Sequence, residues 1–126
     1  MTLAKRKPPT MAQQDYQDRA RALGCVVCKR MGYWQPNETQ IHHRNLGDLH
    51  GQKQLGQHAV VAMCAYHHQG ILRPGHSADA MRELWGPSFA LTPRDFRQWT
   101  YDVLPGYGRG TEAWQRWQDE QLEGMS

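Results

Sequence analysis

Three groups of metal-ligand residues lie close together in this chain: Cys25-x-x-Cys28, the pair His42-His43, and Cys64-x-x-His67-His68. They include all of its cysteines. A structural zinc site closes with four nitrogen or sulfur ligands, usually two short-spaced pairs brought together from separate parts of the sequence. Cys25, Cys28, Cys64 and His67 form such a set, so the spacing predicts that the segments around residues 25 and 64 meet at one structural Zn²⁺. His42, His43 and His68 are then left beside a closed site. Three spare imidazoles next to a rigid clamp suggest chemistry.

A chain of 126 residues with 39% hydrophobic residues makes one small domain that cannot build a large core. A metal staple relieves that shortage. An odd number of cysteines, two of them in a Cys-x-x-Cys pair, suits a metal in a reducing compartment better than a disulfide framework. No apolar run approaches the ~20 residues needed to cross a bilayer, and the N-terminus has no apolar signal-peptide segment. The expectation is a cytoplasmic protein with no membrane partner. Net charge is only +3, but it is unevenly spread. Lys5, Arg6, Lys7, Arg19, Arg21, Lys29 and Arg30 make a basic beginning that could follow phosphates, while Glu112, Asp119, Glu120 and Glu123 make an acidic end that would not.

Residues 1–9 read as a disordered basic arm closed by Pro8-Pro9. Thr10 and Gln13 form a capping box for a helix that runs to Gly24. Thr39–His43 reads as a strand, residues 44–57 as a glycine-rich loop of the kind that carries function, and Val60–Met63 as a second strand ended by Cys64. Ser77 caps a helix through Trp85. Thr92, Pro93 and Asp95 open another with Phe96, Trp99 and Val103 on one face, and Thr111 starts the last, with Trp114 and Trp117. This divides the chain into the arm, a metal-holding α+β domain over residues 10–91, and a helical extension over residues 92–126. The extension is expected to dock, or to form a homodimer, through Phe96, Trp99, Trp114 and Trp117 and to stay out of the active site.

Two strands joined by a loop and followed by a helix, with histidines ending the first strand and opening the helix, resemble the HNH (ββα-metal) endonucleases over Cys25–His68. In zinc-containing members of that group a Cys-x-x-Cys pair precedes the first strand, a second pair opens the helix, and the last catalytic ligand follows directly. Here the second pair is Cys64-x-x-His67, and His68 takes the position after it. The strand-ending metal ligand, commonly Asp, and the general-base His of the group are matched by His42 and His43. More narrowly, Leu23-Gly24-Cys25-Val26-Val27-Cys28, Ile41-His42-His43, Met63-Cys64-Ala65-Tyr66-His67-His68, His76 and Glu83-Leu84-Trp85-Gly86 are similar to the phage recombination-enhancement (Ref) nucleases, which cut DNA with help from RecA. That likeness covers about residues 20–91. It implies a small zinc-stapled ββα-metal core with flanking helices, acting as a metal-dependent DNA endonuclease of phage or prophage origin. DNA and a RecA filament would be its partners, in a bacterial cytoplasm.

Phosphodiester hydrolysis needs a water stripped of a proton, a cation on the developing negative charge and a stabilised leaving oxygen. His43, with an unperturbed pKa near ~6.5, can take the proton at neutral pH. His42 and His68 can hold a second divalent ion. Two neutral imidazoles favour Mn²⁺, Ni²⁺, Co²⁺ or Zn²⁺, and an oxygen from Asp48 or Asn45 would bring Mg²⁺ within reach. His58 lies nearest to the group's middle Asn position and is the candidate for orienting the base. Arg44, Lys53, Arg73 and Arg82 flank the expected cleft as phosphate contacts. His50 and His76 read more plainly as loop residues, and Trp85 with the later aromatics as core or interface. The rival readings are a non-catalytic zinc module that binds DNA or protein, and another phage HNH nuclease with no dependence on RecA.

Overall fold

The computed structural model describes residues 7–36, 38–48 and 53–125, so the expectations for most of the basic arm and for His50 lie outside the described residues. Thr10 opens α1 (Met11–Leu23) with a reciprocal box: its hydroxyl accepts from Gln13 N at 3.1 Å and the Gln13 side chain accepts from Thr10 N at 2.8 Å. Gly24 stops the helix at φ 97°, where a Cβ would be strained. Cys25 immediately caps α2 (Val26–Met31), its Sγ accepting from Cys28 N at 3.5 Å. The Cys-x-x-Cys spacing therefore closes a single turn and brings both sulfurs to one side of it.

The remaining elements are β1 (Thr39–His43), a 3₁₀ turn (Leu46–Asp48), β2 (Val60–Cys64), α3 (Ala65–Gln69), α4 (Ala78–Trp85), α5 (Pro93–Val103) and α6 (Gly110–Gly124). The architecture is α+β. β1 and β2 pair antiparallel with Thr39 opposite Cys64 and His43 opposite Val60. Side chains alternate across a strand, so the sheet has two different faces. Ile41 and its partner Ala62 pack with Ala20, Leu23 and Leu122 from α1 and α6. Val61 and Met63 belong to the main core, with Val26, Tyr66, Phe96 and Trp114. Among the described residues no helix is long and apolar enough to cross a membrane.

Of the two uses expected for the aromatic face of residues 92–126, the described residues show it docked on the rest of this chain. Phe96 and Trp114 are fully buried in the same core as Cys25 and Cys28, and Trp117 is nearly so. Their burial serves this chain's own interior, with Trp99 partly buried beside them. Trp114 Nε1 donates to Thr100 Oγ1 at 2.9 Å, which satisfies the one polar atom of the buried indole. α6 also completes the sheet. A two-stranded ribbon leaves the outer edge of its buried strand without partners, and here the Gln118 amide fills that edge: Oε1 accepts from Ala62 N at 2.8 Å and Nε2 donates to Val60 O at 3.0 Å. One side-chain amide stands in for a third strand.

Candidate functional site

Two clusters of ligand side chains flank the junction of β2 and α3. In the first, the turn that starts α2 supplies Cys25 and Cys28, the end of β2 supplies Cys64, and α3 supplies His67, all of them buried. His67 Nδ1 stands 3.6 Å from Cys25 Sγ, 3.6 Å from Cys28 Sγ and 3.2 Å from Cys64 Sγ, and the Cys28 and Cys64 sulfurs are 4.0 Å apart. Ligands held tetrahedrally by one ion of Zn–S and Zn–N type stand about 3.5 Å (S to N) and about 3.8 Å (S to S) from one another. The cluster therefore has the dimensions and donor set to hold a metal ion. His67 Nε2–H donates to Trp85 O at 2.8 Å, which leaves Nδ1 as the ligand nitrogen. Burial by itself pushes the His67 imidazole down, but the hydrogen bonds and charges of Cys25 and Cys64 outweigh it and raise the group to about 10.

The second cluster is made by strand alternation. Gln40 and His42 project from the face of β1 that meets α3, where His68 receives them. Gln40 Oε1 accepts from His68 Nδ1–H at 2.8 Å, so Nε2 of His68 is the nitrogen with the lone pair, and it stands 3.2 Å from His42 Nδ1. Two nitrogens bound at about 2.1 Å to one ion, roughly 100° apart, are separated by about that distance. Burial first, then the nearby His68, His43 and Arg44, lowers the His42 pKa to about 4. His68 is also lowered, chiefly by burial and against the opposite pull of Cys64. Both rings are neutral at pH 7, the state that ligation requires.

These histidines line a cleft of about 470 Å³ with Asn45, Asp48, Phe89 and Arg97. His42 Nε2 and Asn45 Oδ1 are buried there without a hydrogen-bond partner. Buried polar atoms are rarely left so, and two on one cleft point to a ligand. The loop that carries Asn45 and Asp48 is pinned to α6. Asp48 Oδ2 accepts from Thr111 N at 2.8 Å, Asp48 Oδ1 bonds to Thr111 Oγ1, and Arg44 donates to Thr111 Oγ1 at 3.1 Å and to Gln115 Oε1 at 2.6 Å.

His43 lies on the other face of β1, with Ile41, and its Nε2 is 2.9 Å from Gln57 Oε1. The Gln57 amide is itself oriented, since its Nε2 donates to Lys7 O at 2.7 Å and its Oε1 also accepts from Gln17 Nε2 at 3.0 Å. His43 Nε2 must then carry the proton, which makes Nδ1 the basic nitrogen. The side chain that meets His43 Nε2 here is Gln57, the neighbour of His58. His58 is exposed and borders a separate cleft of about 570 Å³ with Lys53 and Gln57.

Of the cations expected on phosphate, Arg44 is held by α6, Arg82 pairs with Asp95 at 2.8 Å, and Arg73 lies 4.0 Å over the Trp85 ring, which His76 meets edge-on. Lys53 lines the His58 cleft, away from the paired histidines. Arg97, which no motif singled out, is the cation on the His42–His68 cleft. It is one arginine on an amphipathic helix, and only packing shows where it points.

The lowered pKa values make a pH prediction. Protons compete with a metal for imidazole, and a lowered pKa moves that competition to more acid solution. Mn²⁺ binding at His42 and His68, followed by electron paramagnetic resonance, is expected to change little between about pH 7.5 and about pH 6, although ordinary imidazoles titrate near ~6.5. A tenfold weakening centred near that ordinary value would contradict the burial argument.

Residues 9–102 match the family model described as recombination enhancement, RecA-dependent nuclease. The match runs beyond Leu91 and takes in α5 almost to its end. No curated protein and no solved structure matches the chain.

Proposed function

We propose that this chain, which belongs to the family of recombination enhancement, RecA-dependent nucleases, is a metal-dependent endonuclease of the HNH (ββα-metal) type that cuts DNA associated with a RecA filament. The observation that carries the reading is the pair His42 Nδ1 and His68 Nε2, 3.2 Å apart on a cleft that also holds the unpartnered Asn45 Oδ1. Cys25, Cys28, Cys64 and His67 would hold a structural Zn²⁺, for which three thiolates and one imidazole in a closed, buried set are well suited. His42 and His68, joined by the Asn45 oxygen, would hold a second divalent ion, with Mn²⁺, Ni²⁺, Mg²⁺ or Zn²⁺ as the candidates. When bound, that ion would draw charge from a phosphate oxygen and from the leaving oxygen.

The chain's own residues do the rest. His42 and His43 are the last two residues of β1 and lie on opposite faces, so hydrolysis here requires a phosphodiester that wraps the strand end, with the His42–His68 pair on one side and His43 on the other. His43 accepts a proton from the attacking water at Nδ1 as the water oxygen bonds to phosphorus and the P–O bond to the leaving sugar oxygen breaks, that oxygen taking a proton from solvent. Gln57 holds the His43 Nε2–H and keeps the ring in that tautomer. Arg97 offers a guanidinium to the phosphate from the opposite wall of the cleft. The RecA partnership is supported by the family's description, and DNA as substrate follows from the same source.

The test is cleavage of RecA-coated and bare DNA across several divalent metals by the parent and by His43→Ala. His43→Ala is expected to keep its fold and its DNA affinity while cleavage falls ~10²- to 10⁴-fold, the usual cost of losing a general base. Parent-rate cutting by a folded His43→Ala would remove His43 from the mechanism.

A further inference from the structure

Beside the His42–His68 cleft lies a second one of about 250 Å³, between the Leu46–Asp48 turn, α5 and the start of α6. Asp48 and Arg97 line both, so the two clefts are neighbours with these residues as their common border. Arg44, Arg109 and Glu112 complete the smaller one. Its acids are already engaged, Asp48 by the Thr111 amide at 2.8 Å and Glu112 by Arg116 at 2.9 Å. Arg44 is engaged as well, by Thr111 and Gln115. Arg97 and Arg109 carry no ion pair among the described residues. Gly110, at φ 47°, lets the start of α6 lie close against Asp48 and Arg97: a Cβ there would collide with the Asp48 carboxylate and come within 3.2 Å of Arg97 Cγ. Two uncommitted guanidinium groups on a groove that borders the cleft proposed for hydrolysis suit an anion with charges repeated along its length.

We infer that Arg97 and Arg109 hold the phosphate next to the scissile one, so that the site takes an internal segment of a polynucleotide. The inference rests on the nuclease reading. Arg97, shared by both clefts, reaches both phosphates, and Arg109 reaches only the flanking one. The contact is to backbone charge and carries no base preference.

Arg109 is the residue to test. It is exposed, it precedes α6, and its side chain makes no capping bond, so its loss leaves the helix start intact. Binding of a labelled oligonucleotide is measured over a range of salt concentrations for the parent, Arg109→Ala and Arg109→Lys, in Ca²⁺ to hold back cleavage. One phosphate contact is expected to contribute about 0.7 to 0.9 to the slope of log affinity against log salt. Arg109→Ala should lose that increment and bind about tenfold more weakly. Arg109→Lys should keep the slope, because it keeps the charge. An unchanged slope in a folded Arg109→Ala overturns the groove. Displacement of the oligonucleotide by a mononucleotide at constant ionic strength, dependent on Arg109, would make the groove a nucleotide pocket and overturn the assignment to a polymer. Parent cleavage in Mn²⁺ with RecA reports separately on the nuclease reading. A protein that binds with the Arg109-dependent slope and never cuts keeps the groove and loses the nuclease, and one that cuts without that slope does the reverse.

Discussion

Deleting residues 92–126 is expected to leave a chain that no longer folds cooperatively. The deletion removes Phe96, Leu104, Trp114, Trp117 and Leu122, all buried. Large apolar side chains contribute ~1.5–3 kcal/mol each on burial, so their loss amounts to roughly 10 kcal/mol. Whole domains are stable by only ~5–15 kcal/mol. The polar cost adds to this, because Val60 O and Ala62 N lose the Gln118 amide at the edge of the buried strand. Arg44 and Asp48 would lose Thr111 and Gln115 together, so the loop carrying Asn45 would be released even where the knuckles still held a metal. Thermal unfolding followed by near-ultraviolet circular dichroism checks this, with metal content measured alongside. A truncated chain that melts cooperatively, keeps one tightly held metal and cuts DNA would show that α5 and α6 are dispensable.

The metal cluster was readable because its chemistry is local and its residue types are few. Cys25-x-x-Cys28 and Cys64-x-x-His67 each span a single turn, and only a metal gives such pairs a common purpose. Helix starts were readable for a similar reason, since the box between Thr10 and Gln13 and the cap from Ser77 to Ala80 N involve neighbours in sequence. The fate of the aromatic faces was not readable. Helical spacing shows that Phe96, Trp99, Trp114 and Trp117 share a side of a helix, but a buried side and a docking side have the same pattern.

The site itself was legible in part. The pairing of His42 with His68 needs the strand register, which the sequence implies once both strands are placed. Arg44 and the glycines after it suggest a strand ending that would let His42 and His43 share one site, but the regular pairing of His43 with Val60 carries the strand through both and separates them. Gln57, Gln118 and Arg97 carried no signal, because glutamines and a single arginine are common surface residues. Each acts through a contact distant in sequence, with His43, with the edge of β2 and with the cleft.

Loss of either His42 or His68 is expected to abolish most cleavage without unfolding the protein. Neither belongs to the Cys25, Cys28, Cys64 and His67 cluster, and neither is in the buried apolar core. Their rings meet only each other, Gln40 and Phe89 among the described contacts, so an alanine at either position enlarges a cleft and leaves the rest of the packing in place. Removing one of two protein nitrogens from an ion should weaken its binding strongly, with cleavage falling about 10²-fold or more at limiting metal. Excess Mn²⁺ should restore part of the activity of His68→Ala, since His42 and the Asn45 oxygen remain. The decisive measurement is bound metal and DNA cleavage determined on the same samples of parent, His42→Ala and His68→Ala. A second, Mn²⁺-exchangeable ion is expected in the parent alone, with full occupancy of the Cys₃His cluster in all three and cleavage that follows the second ion. A folded His42→Ala and His68→Ala that cut at the parent rate, or a parent that cuts with no second ion bound, would contradict it.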